Sequence, residues 1–298
     1  MVKIITDDGA DIPKHYIDKY DIEILHMAIN DGENEYYNDV NITKEEVYDG
    51  MRKGKVYKTA QVTMTDLVDC FTKYAKSDDE AIYFTLSSGI SGTYSSALIA
   101  RDTVIGDYPD AKIYVVDTVC ASFGQGMLVV KASMMAKDGL SAKEIIEKSN
   151  IIKLNHEALY SVGDLEYLFR GGRVSRTSKV LGGLLNIKPI LSLSKEDGKL
   201  NAIDKARGTK TLYKKLFDHM NELSSGGKFN PEQTIAICHG DWLEEAEKLK
   251  NVLKDEFDIK EENIMMSFIG TVIGAHTGPD IICIFFNSDP QGEYDFIN

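Results

Sequence analysis

Ala81-Ile82-Tyr83-Phe84-Thr85-Leu86-Ser87-Ser88-Gly89-Ile90-Ser91-Gly92-Thr93-Tyr94 joins an apolar run to a polar, glycine-bearing loop, and Ala97-Leu98-Ile99-Ala100 then follow a helical pattern. A short apolar run that feeds a loop and then a helix is the repeating unit of a parallel sheet covered by helices. The loop's two glycines allow close backbone approach. The hydroxyls of Ser87, Ser88, Ser91 and Thr93, with the first amides of the helix, offer hydrogen bonds to a carboxylate or phosphate. An ordinary Ser/Gly turn with a helix cap has the same composition, so the rest of the chain must decide between them.

Outward from this stretch the same logic repeats. Val2 to Thr6 reads as a strand, Asp11 as the cap of a helix with Pro13 in its first turn, and Asp21 to Ile29 as a returning strand. Thr43 with Glu46 forms a capping box, and a helix after Thr65-Asp66 turns Leu67, Val68, Phe71 and Tyr74 inward. Lys112 to Val116 is a further strand, followed by a helix from Gly124 to Lys137 and another capped by Ser141 and Glu144. Beyond Asn155 the pattern changes. Leu159 to Gly163, Pro189 to Ser194 and Leu200 to Ala206 read as strands, the last two joined by an Asp197-Gly198 turn as a hairpin. Later strands and helices complete a mixed sheet. The expected fold class is α/β with two domains: a Rossmann-like α/β/α domain over residues 1–155 with a mainly parallel sheet, and a mixed-sheet α/β domain over 156–298.

Composition excludes several functions. The chain has 298 residues, 43% hydrophobic and 27% charged, which is ordinary for a globular protein with a large core. A formal net charge of −13 argues against a nucleic-acid-binding face and against stable attachment to anionic membrane. No apolar run is long enough to span a bilayer and no signal-peptide pattern precedes Val2-Lys3-Ile4-Ile5, so a cytoplasmic location is expected. Cys70, Cys120, Cys238 and Cys283 lack metal or redox spacing and read as small buried hydrophobes; no metal is expected.

Polar segments at Thr6-Asp7-Asp8, Thr59 to Thr65, Ser87 to Tyr94 and Ala275-His276-Thr277-Gly278-Pro279 fall at strand ends or between elements, where loops of open α/β sheets collect ligands. Ser87 to Tyr94, Val116-Asp117-Thr118, Leu165-Glu166-Tyr167-Leu168 through Gly171-Gly172-Arg173-Val174-Ser175, Asn186-Ile187-Lys188-Pro189-Ile190, Arg207 and Gly274 to Pro279 together resemble the DegV family across essentially the whole chain. The resemblance implies a protein that holds one long-chain fatty acid, such as palmitate, stearate or oleate, in a buried tunnel. Its carboxylate would be gripped by loop hydroxyls, and a separate fatty-acid kinase would phosphorylate it. The protein itself would be a carrier without cofactors, not a catalyst. Carried over by position, the ligand-binding residues are Thr59, Thr63, Ser91, Gly92, Arg173, His276 and Thr277, with His276 on a loop.

This chain departs from the family pattern at four places. Ala60 and Val62 stand where a hydroxyl and a proline are usual, implying a less stiff arm, and Asp8 and Asp280 are acidic residues that would repel a carboxylate if close to it. Arg170 reads as a helix-end residue favoured by the dipole. The competing reading is a serine-type hydrolase or acyl transferase with Ser88 or Ser91 as nucleophile, His276 as base and Asp117 as its orienter; the absence of G-x-S-x-G counts against it.

Overall fold

The structure, a computed structural model, describes residues 1–174 and 187–289. In chain order its elements are β1 (Val2–Asp7), α1 (Lys14–Tyr20), β2 (Glu23–Leu25), β3 (Ala28–Asn30), β4 (Glu35–Tyr37), α2 (Lys44–Arg52), β5 (Lys58–Thr59), α3 (Met64–Ala75), β6 (Glu80–Thr85), α4 (Thr93–Asp107), β7 (Ile113–Asp117), α5 (Phe123–Lys137) and α6 (Ala142–Asn155). They continue with β8 (His156–Val162), α7 (Glu166–Gly171), β9 (Ile187–Leu193), β10 (Leu200–Arg207), α8 (Thr209–Leu223), β11 (Ile235–His239), α9 (Leu243–Phe257), β12 (Ile264–Phe268), α10 (Thr271–Thr277) and β13 (Ile281–Asn287). Two units form: Met1–Thr43, Tyr57–Leu154 and Lys195–Lys199 make the first, and Lys44–Val56, Asn155–Ser194 and Leu200–Asn298 the second.

In the first unit a parallel sheet runs β2-β1-β6-β7. β6 is the decisive run of the sequence, and Ala81 to Phe84 have no exposed surface because both faces of the sheet are covered. α5 packs on β1 and is buried nearly all round, which explains why its sequence carries no polar stripe. α6 opens with the expected capping box: Glu144 Oε2 accepts from the Ser141 amide at 2.9 Å and hydroxyl at 2.6 Å. The expected strand from Asp21 to Ile29 is divided. Asp8 Oδ2 accepts the Met27 amide at 2.8 Å, and the chain turns there so that β2 joins the parallel sheet while β3 enters a separate antiparallel sheet, β4-β3-β5. Asp11 does not cap α1 either. It ends a 3-10 turn in left-handed geometry with φ 48, its carboxylate accepts the Ser122 hydroxyl at 2.6 Å, and Pro13 takes the N-cap position.

The second unit has a mixed sheet, β10-β9-β8-β13-β11-β12, in which, among the described residues, only β11 and β12 pair in parallel. β9 and β10 form the expected antiparallel pair, with a bulge between Ala202 and Asp204. One face of the sheet carries a core in which Leu212, Leu216 and Met220 of α8 and Ala246, Leu249 and Leu253 of α9 share one buried cluster with Ile237 and Ile284. Their spacing of three and four residues is what makes those two helices amphipathic. All four cysteines are buried thiols outside any disulfide. Among the described residues no helix is long and apolar enough to cross a membrane.

Candidate functional site

The first unit's sheet changes direction of growth between β1 and β6: the chain leaves β1 for β2 on one side and later returns to β6 on the other. Crevices of open α/β sheets lie outside the carboxyl ends of strands at such a switch. The loop from Leu86 to Gly92 starts there, and successive amides fasten it. Asp7 Oδ2, at the end of β1, accepts the Leu86 amide at 3.3 Å; the Cys120 carbonyl accepts that of Ser87 at 2.9 Å; Asp117 Oδ1 accepts that of Ser88 at 3.2 Å. Asp117 also binds the amide of Val119, a β-branched residue held at φ 55, so this carboxylate organises the loops after both β6 and β7.

Asp7 is 1% exposed and accepts four hydrogen bonds, the others from Tyr83 Oη at 2.9 Å, the Gly9 amide at 3.0 Å and Gln125 Nε2 at 3.2 Å. Burial nevertheless dominates these bonds and pushes its carboxyl up from 3.8 to about 6.

Ser91 sits just before α4 and is half-buried. Its Oγ accepts the Thr93 amide at 3.2 Å and lies 2.9 Å from Thr93 Oγ1. Gly92 is the N-cap residue of α4 and supplies no side-chain cap. A Cβ on Gly92 would lie 2.7 Å from Gln61 Oε1, and Gln61 Nε2 donates to Ser96 Oγ at 2.7 Å. Gln61 thus lies across Gly92, so the Thr59 to Thr63 arm and the Ser91 loop are neighbours. The arm is pinned at both ends: Thr59 pairs with Ile29 in the antiparallel sheet, the Ala60 amide donates to Ala28 O at 2.8 Å, and Val62 is fully buried. Burial of Val62 supplies the stiffness expected to be lost with proline. Thr63 is the N-cap of α3, with its Oγ1 accepting the Asp66 amide at 3.1 Å and donating to Asp66 Oδ2 at 2.6 Å.

In the second unit Arg173 follows α7, whose C-cap Gly172 is left-handed at φ 72, and the Arg173 Nη1 donates to the Gly171 carbonyl. His276 is not on a loop: it lies in the last turn of α10, and the loop shrinks to Gly278-Pro279-Asp280. Gly274 and Gly278 suggested loop in the sequence, but Thr271 to Ala275 are buried, and that burial overrides the weak helix propensity of glycine. The His276 ring occupies the space where a Cβ on Gly171 would be, bringing α10 and α7 together. Burial, then the charge of Arg173, lowers the His276 pKa to about 4, so its imidazole is neutral at physiological pH. Burial also lowers the Arg173 pKa. Thr277 Oγ1 donates to Ile273 O at 3.0 Å within the helix. Arg170 lies over the Tyr167 ring at 5.6 Å, a local packing role.

The acidic departures are each engaged. Asp8 binds the Met27 amide and His26 Nδ1, whose pKa its hydrogen bond raises, and Asp280 Oδ1 accepts Arg52 Nη2 at 2.9 Å. Sequence reasoning missed Asp7, Gln61 and the Asp197-Gly198 turn as parts of the loop's support; only the acidic residue at the end of a predicted strand offered any signal for the first. Ser175 and Asn186 of the quoted motifs lie outside the described residues. Among the described residues no group of three or more His, Cys, Asp or Glu is arranged to hold a metal.

Fold and loop architecture define an α/β protein with a parallel-sheet unit, a mixed-sheet unit and a hydroxyl-rich loop at the switch point of the former. The sequence model described as the DegV family matches residues 1–289, and a DegV domain-containing protein of Clostridium perfringens is 39% identical over 293 residues, 97% of this chain and 98% of that one. The chain belongs to the DegV family. A stearic-acid-binding protein from Eubacterium ventriosum superposes with a TM-score of 0.84 at 26% identity, over 97% of this chain and 99% of that one. A fatty-acid-binding DegV family protein from Streptococcus agalactiae does so with a TM-score of 0.84 at 28% identity, over 96% and 98%.

Proposed function

We propose that this protein binds a long-chain fatty acid in a buried tunnel, with its carboxylate held by loop hydroxyls, and presents it to a separate kinase that phosphorylates the carboxyl group. The observation that carries this reading is the Ser91 loop: a hydroxyl beside the N-terminus of a fifteen-residue helix, fastened by three successive amides at the sheet's switch point. With Thr93 Oγ1 as donor to Ser91 Oγ, the Ser91 O–H is directed to a ligand, and the helix dipole favours a negative charge there. Thr59, on the arm beside this loop, is assigned as the second hydroxyl, and Gly92 gives close backbone approach. Solved relatives described as fatty-acid-binding make the ligand class the natural one for this chain. For Arg173, His276 and Thr277 the assignment as anion partners rests on the resemblance and on their local geometry: a cation beside a neutral imidazole at a helix end.

Tail and head divide the work. Burial of about fourteen methylenes at ~0.8 kcal/mol each contributes roughly 11 kcal/mol before the cost of ordering the ligand. A carboxylate without partners would oppose this by several kcal/mol, so the hydroxyls fix which end is presented. The protein would act as a carrier, the carboxyl chemistry belonging to the kinase.

The test is native mass spectrometry of protein purified from a bacterial host, with identification of the released lipid. A stoichiometric long-chain fatty acid is expected. Ser91→Ala should remain folded and lose a hydrogen bond to a charged group, about 1.5–3 kcal/mol, hence roughly tenfold or more in retention. Folded protein that is empty and takes up no added oleate would overturn the reading.

A further inference from the structure

The tip of the β9–β10 hairpin, Lys195–Lys199, clusters with the first unit, although both strands belong to the second. Its contacts explain why. Ser87 is fully buried, and its Oγ donates to the Gly198 carbonyl at 2.8 Å. A Cβ on Gly89 would run into the Asp197 and Gly198 backbone, so the two segments meet main chain to main chain. Gly198 is itself left-handed at φ 66, and a Cβ there would collide with Ser87 Oγ. The turn is braced from within by the Lys199 amide on Asp197 Oδ1 at 3.2 Å, and from outside by Lys195 Nζ on the Leu154 carbonyl at 2.6 Å. Gly89, which in the sequence suggested close approach to a ligand, is needed for close approach to this turn.

We infer that the Asp197-Gly198 turn is a clasp on the ligand loop: docked, it holds Ser87 to Gly92 in place, and its undocking is the slow step by which bound ligand is exchanged. This rests on the fatty-acid reading above. The loop between Ser87 and Ser91 is one tight turn, with the Ile90 and Ser91 amides both donating to the Ser87 carbonyl at 3.2 and 3.1 Å. Residue 87 therefore fixes the position of Ser91. Ser87 and Gly89 are positioning residues that touch the clasp and act on ligand through the loop.

The experiment uses the full chain loaded with oleate and mixed with excess phosphatidylcholine vesicles, following release over time for wild type, Ser87→Ala, Gly89→Ala and Ser91→Ala. Ser87→Ala is expected to speed release about tenfold by removing one buried hydrogen bond, and Gly89→Ala to speed it further by forcing the turn away. Because release is timed on molecules that are loaded, a variant that merely folds less well lowers the amplitude and leaves the rate unchanged. Hydrogen exchange at the Ser87 to Gly92 amides should accelerate in step with release. Release from Ser87→Ala and Gly89→Ala within twofold of wild type, while Ser91→Ala releases faster, overturns the clasp and leaves the fatty-acid reading standing. Wild-type protein that neither carries nor takes up oleate overturns both.

Discussion

Replacing Asp7 with Asn removes a buried negative charge while keeping the side-chain shape, and its consequence is a change in how stability depends on pH. The carboxyl is pushed from its ordinary 3.8 to about 6 because burial outweighs the four hydrogen bonds it accepts. Below pH 3.8 the folded and unfolded chains both hold the proton. Between 3.8 and about 6 the unfolded chain releases it while the folded one keeps it, so the folded state binds more protons and stability falls as pH rises. Above about 6 the loss is complete, and at about 1.4 kcal/mol per pKa unit it amounts to roughly 3 kcal/mol. Asn carries no such titration. It does lose acceptors for the Leu86 amide and the Tyr83 hydroxyl, which sets a constant penalty at every pH. The assay is denaturant unfolding of wild type and Asp7→Asn from pH 3.5 to 8. Every other titrating group is common to both, so the difference isolates Asp7, and wild type should lose about 3 kcal/mol relative to the variant across the window. A difference that stays flat with pH would refute the reasoning, because it would mean that the hydrogen bonds balance the burial.

Two further outcomes are expected. Labelled-histidine NMR should find the His276 imidazole neutral down to about pH 5 with its midpoint near 4; since this pKa lies below the ordinary 6.5, its contribution to stability is present above 6.5 and disappears as pH falls through 4, and a midpoint above 6 would contradict the burial argument. Thr63→Ala should cost about 1 kcal/mol of stability by uncapping α3 and, with Thr63 carried over as a ligand residue, should also speed oleate release; a release rate unchanged from wild type would make Thr63 a cap alone.

Local chemistry made most elements legible. The apolar run Ala81 to Leu86 and the Ser141–Glu144 box each encode their element within a few residues, and each appears as expected. Two of the failures share one cause. Asp8 reaches across the chain to the Met27 amide and divides what reads as one strand, and Asp11 is taken by Ser122 and so cannot cap α1. Each of these is a bond of one side chain to a group far along the sequence, and no periodicity reports it.

The loop at the switch point shows the same limit at the level of function. Its hydroxyls and glycines are visible in the sequence, but their duties are not interchangeable. Ser87 is spent on the Gly198 carbonyl, Thr93 is buried against Ser91, and Gly89 makes room for backbone from more than a hundred residues later. Ser91 is the hydroxyl held at the helix start, half-buried, by neighbours whose own bonds are already committed. A Ser/Gly-rich loop becomes a candidate binding loop here because the Gly198 carbonyl takes the Ser87 hydroxyl and the Asp197-Gly198 backbone fills the space beside Gly89, contacts that the composition of the loop does not report. Substitutions at Ser87 and Gly89 should therefore affect ligand exchange through loop position, while Ser91 should affect it through the ligand itself, and only kinetics on loaded protein can tell those two apart.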